Sequence, residues 1–162
     1  MSTDQATDLA QYIARLAVKT KRTVAVAESL TGGAICAQLA AAPDAADWFR
    51  GGIVAYAADV KFDVLGVQPG AVITQRCAIS MAEGAARLLD ADIAVAATGV
   101  GGPDPVEGQA SGTVCLAATT KDGVTLSAEH HFDGAPEVVV ASAVRSALDL
   151  LTRCLEHAQR CA

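Results

Sequence analysis

Aromatic side chains are scarce in this sequence: one Trp, two Tyr and three Phe in 162 residues, 4% of the chain. Apolar residues nonetheless make up 52%. Alanine and valine carry much of that share, which predicts layers packed closely with small side chains between them. Excess positive charge is missing as well. The formal net charge of −6 argues against a nucleic-acid binder, which needs a basic face for phosphates. There is no CxxC pair among Cys36, Cys77, Cys115, Cys154 and Cys161, and no zinc-ligand spacing. The thiols read as reduced and mostly buried. His130 and His131 are adjacent, so in a strand they point to opposite faces and do not share a metal. A basic n-region with an apolar h-region is lacking, as is an uninterrupted membrane-length apolar run. The expectation is a soluble, cytoplasmic domain without nucleic-acid or membrane partners, its length fitting one domain over 1–162.

What is present alternates between helical and strand patterns. Leu9, Tyr12, Ile13, Leu16 and Ala17 form a stripe at helical spacing over about 4–19, with Ser2 and Gln5 at capping-box spacing. Thr23–Ala27 is a continuous apolar run, as expected of a strand covered on both faces. A helix over about 31–41 is expected to stop before Pro43. Phe49–Ala55 reads as a second strand, with Gly51 and Gly52 marking a bulge or a close backbone approach. A short helix spans 58–65, stopped by Gly66, and Thr74 caps another that ends near Leu89. Ile93–Ala97 is a further covered strand. Thr113–Thr119 and Val124–Phe132 form a hairpin around Lys121-Asp122-Gly123, and Pro136 opens a last helix to about His157. The pattern predicts a three-layer α/β/α sandwich with a mixed, mostly parallel sheet.

Three stretches fall at strand ends: Glu28 to Gly33, Tyr56 with Lys61, and Thr98 to Gly102. Parallel neighbouring strands would bring all three to one sheet edge, where ligands of open α/β sheets bind. Serine needs a base to act as a nucleophile, and no histidine is near a strand end on this edge. Lys61 is the available substitute if its pKa is lowered. Tyr56 can relay a proton or orient it, and the N–H groups of Thr31, Gly32 and Gly33 can hold an oxyanion. The combination suits hydrolysis of an amide or ester. The plainer readings are a helix cap for Ser29 and a solvated lysine paired with Asp59 or Asp63 for Lys61. The loop from Gly99 to Gly112 is neither a Walker loop nor a dinucleotide fingerprint, though its N–H groups can cradle a phosphate.

Taken together, Ala27-Glu28-Ser29-Leu30-Thr31-Gly32-Gly33, Phe49 to Tyr56, Lys61, Leu65-Gly66-Val67 and Ala97 to Pro103 resemble the CinA C-terminal domain family, which includes the nicotinamide-nucleotide amidases. The resemblance runs from about Leu9 to Leu155 and suggests a stand-alone form, without the molybdopterin-binding-related domain of longer members. It implies hydrolysis of nicotinamide mononucleotide to nicotinic acid mononucleotide and ammonia in pyridine-nucleotide recycling, without metal or cofactor. Ser29 matches the family nucleophile, and Tyr56 and Lys61 match its partners. Glu28, Thr31, Gly32, Gly33, Thr98, Gly99 and Gly102 fall where the substrate would bind. A homodimer or larger homo-oligomer is implied too. The family's Lys-Pro-Val-Gly run is replaced by Gln109-Ala110-Ser111-Gly112, its Gly-Asp-Arg by Gly134-Ala135-Pro136, and its next arginine is absent near Val140, although Arg145 remains. The missing basic residues leave a second expectation open: a non-catalytic nucleotide-binding or regulatory homologue. A third, an interaction module linked to DNA uptake, finds no basic surface to support it.

Overall fold

The computed structural model describes residues 3–161, so the Ser2 half of the predicted capping box lies outside it. In order the elements are α1 (Thr3–Thr20), β1 (Val24–Glu28), α2 (Ala34–Ala40), α3 (Ala45–Trp48), β2 (Phe49–Val54), α4 (Ala58–Asp63), α5 (Gln75–Leu88), β3 (Ile93–Gly99), β4 (Thr113–Thr120), β5 (Thr125–His131) and α6 (Pro136–Arg160). Five strands make one sheet in the order β2-β1-β3-β4-β5. β1 pairs in parallel with β2 and with β3. β3–β4 and β4–β5 pair antiparallel. The sheet is therefore mixed, with two pairings of each kind, and only β4 runs against the other four.

The two faces of the sheet are built from different side chains, because strand residues alternate between faces. Val24 and Val26 of β1 and Ile93 and Val95 of β3 join a large-residue core with Ile13, Ile35, Leu39, Trp48, Leu148 and Leu151 of the α1–α2–α3–α6 layer. Ala25, Ala27, Ala94 and Ala96 face the other way, onto Met81, Ala82 and Ala85 of α5 and onto Leu65 and Val67. Among the residues of β1 and β3 the small side chains are thus gathered mostly on one face, while the alanines of the other layer come mainly from α1 and α6. On the α5 face the approach is so close that a Cβ on Gly84 would strike the Leu65 carbonyl oxygen.

Local chemistry sets the element ends. Thr74 Oγ1 accepts a bond from Cys77 N–H at 3.0 Å, the cap expected for α5. Pro136 opens α6 as a first-turn proline. Gly52 is a close approach, since a Cβ there would collide with Cys36 Sγ, and the β1–β2 register shifts between Val24 and Ala25. Two elements differ from expectation. α2 begins only at Ala34, because Thr31–Gly33 is a turn and Gly33 takes a φ of 105°. α3 follows Asp44, whose own φ is 55°, and buries Trp48 with its indole N–H on Pro43 O at 3.0 Å. Among the described residues no helix is long and apolar enough to cross a membrane.

Candidate active site

β1 lies between β2 and β3, so the chain leaves β1 toward one side and later returns on the other. Such a switch point leaves a crevice at the carboxyl ends of the parallel strands. The backbone stitches those ends together. Ser29 N–H donates to Ala97 O at 3.1 Å, and Ala55 N–H donates to Glu28 O at 2.8 Å. Ser29, just past β1, is thereby fixed beside the ends of both neighbours.

Lys61 reaches back from α4 into this crevice. Its Nζ lies 2.9 Å from Ser29 Oγ, 2.8 Å from Ala55 O and 3.1 Å from Tyr56 O. The side chain is only 1% exposed, and Ser29 is 6% exposed. A solvated lysine on a surface helix is therefore not what the structure contains. Asp59 and Asp63 do not pair with Lys61 among the described residues, and Asp59 instead accepts from Val60 N–H at 3.0 Å. Burial holds the Lys61 ammonium below the usual lysine range, with the negative forms of Cys77 and Glu107 pulling the other way. Cys77 itself is pushed up to about 11 by burial.

An ammonium has three hydrogens, one for each of the three oxygens around Nζ. A neutral amine has two hydrogens and one lone pair. With the two hydrogens on the carbonyls of Ala55 and Tyr56, the lone pair is left facing Ser29 Oγ. The same geometry thus accommodates both protonation states of a base beside a hydroxyl.

Tyr56 joins the constellation through its backbone carbonyl. Its side chain is 70% exposed. Thr31 is buried, and its Oγ1 has no hydrogen-bond partner among the described residues. Gly32 N–H is taken by Ser29 O at 3.0 Å, whereas the Thr31 and Gly33 N–H groups make no backbone hydrogen bond among the described residues.

Glu28, Thr98 and Gly99 each make contacts within the fold. Glu28 is fully buried, and its two oxygens accept from Ile35 N–H at 3.0 Å and Cys36 N–H at 2.9 Å. Those are free donors of the first turn of α2, and the carboxylate satisfies them. The expected anion-binding helix start is thus already occupied from within, which leaves only the Thr31–Gly33 turn. Thr98 Oγ1 donates to Val72 O at 2.8 Å and is buried. Gly99 continues β3 opposite Val114, where a Cβ would come within 2.5 Å of Thr113 O. Gly102 lies in the following loop with a φ of 97°. Among the described residues no group of three or more His, Cys, Asp or Glu is placed to hold a metal.

Cavity size does not locate this site. A cavity of about 570 Å³ and another of about 490 Å³ share Gln5 and Arg145 between α1 and α6, and neither is lined by Ser29, Tyr56 or Lys61. Arg145 donates to Gln5 Oε1 there at 3.3 Å. Sequence reasoning missed Glu107, which accepts from Val72 and Ile73 N–H. The pair Glu107-Gly108 signals a tight turn, but nothing local indicates what its carboxylate reaches.

The sequence model of the CinA C-terminal domain matches residues 6–155. This chain belongs to the CinA C-terminal domain family. A CinA-like protein of Frankia casuarinae is 40% identical over 145 residues, which is 86% of this chain and 33% of that protein. A solved CinA-superfamily protein of Klebsiella pneumoniae superposes with a TM-score of 0.89 at 33% identity, covering 94% of this chain and 98% of that one. A competence/damage inducible protein of Agrobacterium tumefaciens gives a TM-score of 0.87 at 31% identity, covering 96% and 99%. The chain spans 26% to 37% of the length of several curated CinA relatives it matches. The α/β architecture with its mixed five-stranded sheet is therefore that of the CinA superfamily.

Proposed function

We propose that this CinA-family chain hydrolyses the carboxamide of nicotinamide mononucleotide, giving nicotinic acid mononucleotide and ammonia. The observation that carries the reading is the 2.9 Å contact between Lys61 Nζ and Ser29 Oγ in a buried crevice. Ser29 Oγ attacks the carboxamide carbon while neutral Lys61 takes its proton. The oxyanion forms near the Thr31 and Gly33 N–H groups. Lys61 then returns the proton to the departing nitrogen, the C–N bond breaks, and ammonia leaves an acyl-serine. Water attacks that ester with Lys61 again as base, and the acid is released with Ser29 restored. Tyr56 supports the reading through its carbonyl, which fixes a Lys61 hydrogen, and its exposed ring is free to meet a substrate. The unpartnered Thr31 Oγ1 offers the substrate a buried polar contact.

The test is ammonia release from nicotinamide mononucleotide by the native chain and by Ser29→Ala. Release by the native chain and its loss in the variant are expected. Equal release by both would remove Ser29 from the nucleophile role, and release by neither would remove the amidase reading.

One observation favours a second reading. No Lys or Arg occurs from Gly99 to Gly112, which weakens the case for a phosphate grip there. Saturable nucleotide binding without turnover would make the chain a binding or regulatory homologue.

A further inference from the structure

The two edges of the sheet are built differently. At β2 the pairing with β1 shifts register between Val24 and Ala25, and Gly51 takes a φ of 118°. At the other edge β5 pairs with β4 in one unbroken register, from Thr113 opposite His131 to Thr119 opposite Thr125. Natural sheets blunt such edges with lysine, proline, a bulge or a covering segment. β5 reads Thr-Leu-Ser-Ala-Glu-His-His, without lysine or proline, and no strand lies beyond it in the sheet among the described residues. Antiparallel ladders alternate, so every second residue turns its N–H and C=O away from the neighbouring strand. Thr120 N–H donates to Val124 O and Phe132 N–H to Gly112 O, which directs the even-numbered residues of this strand toward β4. Thr125, Ser127, Glu129 and His131 therefore present their backbone groups to the open edge. Among the described residues those groups make no backbone hydrogen bond beyond the β4 ladder, and all four residues are exposed.

We propose that β5 is an interface between two copies of this chain, joined edge to edge as antiparallel strands about a two-fold axis at Ala128. In that register Thr125 of one copy faces His131 of the other, and Ser127 faces Glu129, so every outward N–H and C=O gains a partner. Hydroxyls stand opposite the ionisable side chains, and no like charges meet. An axis at Glu129 would set two carboxylates directly opposite, which is destabilising. An axis at Ser127 would leave His131 facing Gly123 of the turn, outside the strand. The residue on the axis meets itself in the closer, non-hydrogen-bonded kind of pair, which suits the small side chain of Ala128. Leu126 of one copy then faces the His130 ring of the other, itself stacked on Phe132 with ring centroids 5.2 Å apart. One surface serves both copies, as a two-fold interface requires, and this self-complementarity selects a second copy over an unrelated strand. β3 and β4 separate β5 from β1, and the interface does not rest on the amidase reading.

Sedimentation velocity of the full chain over a range of concentrations should show a monomer–dimer equilibrium. Ser127→Pro removes an outward N–H and leaves the β4 ladder intact, as prolines on edge strands do. By symmetry the hydrogen bond is lost twice, so the dimer dissociation constant should rise at least about tenfold, while circular dichroism and the urea midpoint stay near native. Ser127→Glu sets a carboxylate opposite Glu129 on both sides of the axis and should weaken the dimer about tenfold. Adding Glu129→Lys to that variant turns the same pairs into opposite charges and should restore the dimer. A chain that stays monomeric at every concentration would overturn the proposal. So would a dimer indifferent to both Ser127→Pro and Ser127→Glu, which would then be formed through another face. If Ser127→Pro fails to fold, Ser127→Glu with and without Glu129→Lys decides. Failure of Glu129→Lys to restore the dimer would overturn the register centred on Ala128.

Discussion

The two halves of the sheet differ in what their strand ends are able to do. On the parallel side, β1, β2 and β3 finish together, and the connections from β1 and β3 depart in different directions. The gap between them holds Ser29 and receives Lys61. On the antiparallel side, β4 and β5 are closed by a tight turn at Lys121-Asp122-Gly123, with Thr120 N–H on Val124 O at 2.9 Å. β4 is buried along its whole length, yet it brings no buried ionised side chain with it. Its polar residues are threonines and a cysteine. The inner strands of both halves are deeply buried, β4 as fully as β1, but only the half with diverging connections has room for a desolvated cation beside a hydroxyl. Crevice geometry rather than burial alone separates scaffold from site.

That contrast is broken most directly by Lys61→Met. If the parallel half carries the chemistry, ammonia release should fall by about 10²-fold or more. Stability should move the other way. The folded chain holds Lys61 below the ordinary lysine value of 10.5, so between that lowered value and 10.5 the unfolded chain binds more protons. Native stability therefore rises with pH through this window. Urea melts should show the variant at least as stable as the native chain near pH 7, with the difference shrinking as pH approaches 10.5. A stability gap that widened with pH would mean that the buried amine is not destabilised by its surroundings.

Leu116→Ala, in the middle of β4, tests the scaffold side. Leu116 is fully buried, and its loss should lower stability by about 3 kcal/mol through transfer and cavity terms. Ammonia release per folded molecule should stay close to native. A kcat loss comparable to that of Lys61→Met would show that the antiparallel half shapes the reaction directly.

Lys121→Met should have the smallest effect. Its ammonium contacts Asp90 Oδ1 at 2.9 Å, with both side chains largely exposed. The pair raises Lys121 and lowers Asp90 through their mutual hydrogen bond. Any stability it supplies is fully present between the two groups' ordinary pKa values. It is lost as pH rises through the raised lysine value or falls through the lowered aspartate value. Melts at low and high salt should show only a small difference that salt erases, and turnover should not change.

Much of this organisation was legible in the sequence. The continuous apolar runs of β1 and β3, the Asp122-Gly123 turn, the Thr74 cap and the Pro136 helix start each rest on local rules, and the elements formed accordingly. The family motifs extended that reading to the sheet end. Other features depend on distant partners. Glu28 sits in a loop-like motif that suits a ligand equally well, and only the direction of α2 assigns its oxygens to Ile35 and Cys36. Lys61 lies between two aspartates in sequence, but its ammonium turns inward to Ser29, 32 positions earlier, beside the carbonyls of Ala55 and Tyr56. The reach of Glu107 across 34 and 35 positions to Ile73 and Val72 has no local signal at all.

The unequal faces of the sheet also fix how this protein can change. On the α5 side, Ala25, Ala27, Ala94 and Ala96 have almost nothing left to lose, so truncation there can hardly open a hole. Enlargement meets backbone at once, as Gly84 already does at Leu65. On the α1–α6 side the direction reverses, because Ile13, Leu39, Leu148 and Leu151 can be shortened only by leaving voids. Sequence drift is thus confined in opposite senses on the two sides of one sheet. The layer through which Lys61 enters is the one that cannot grow.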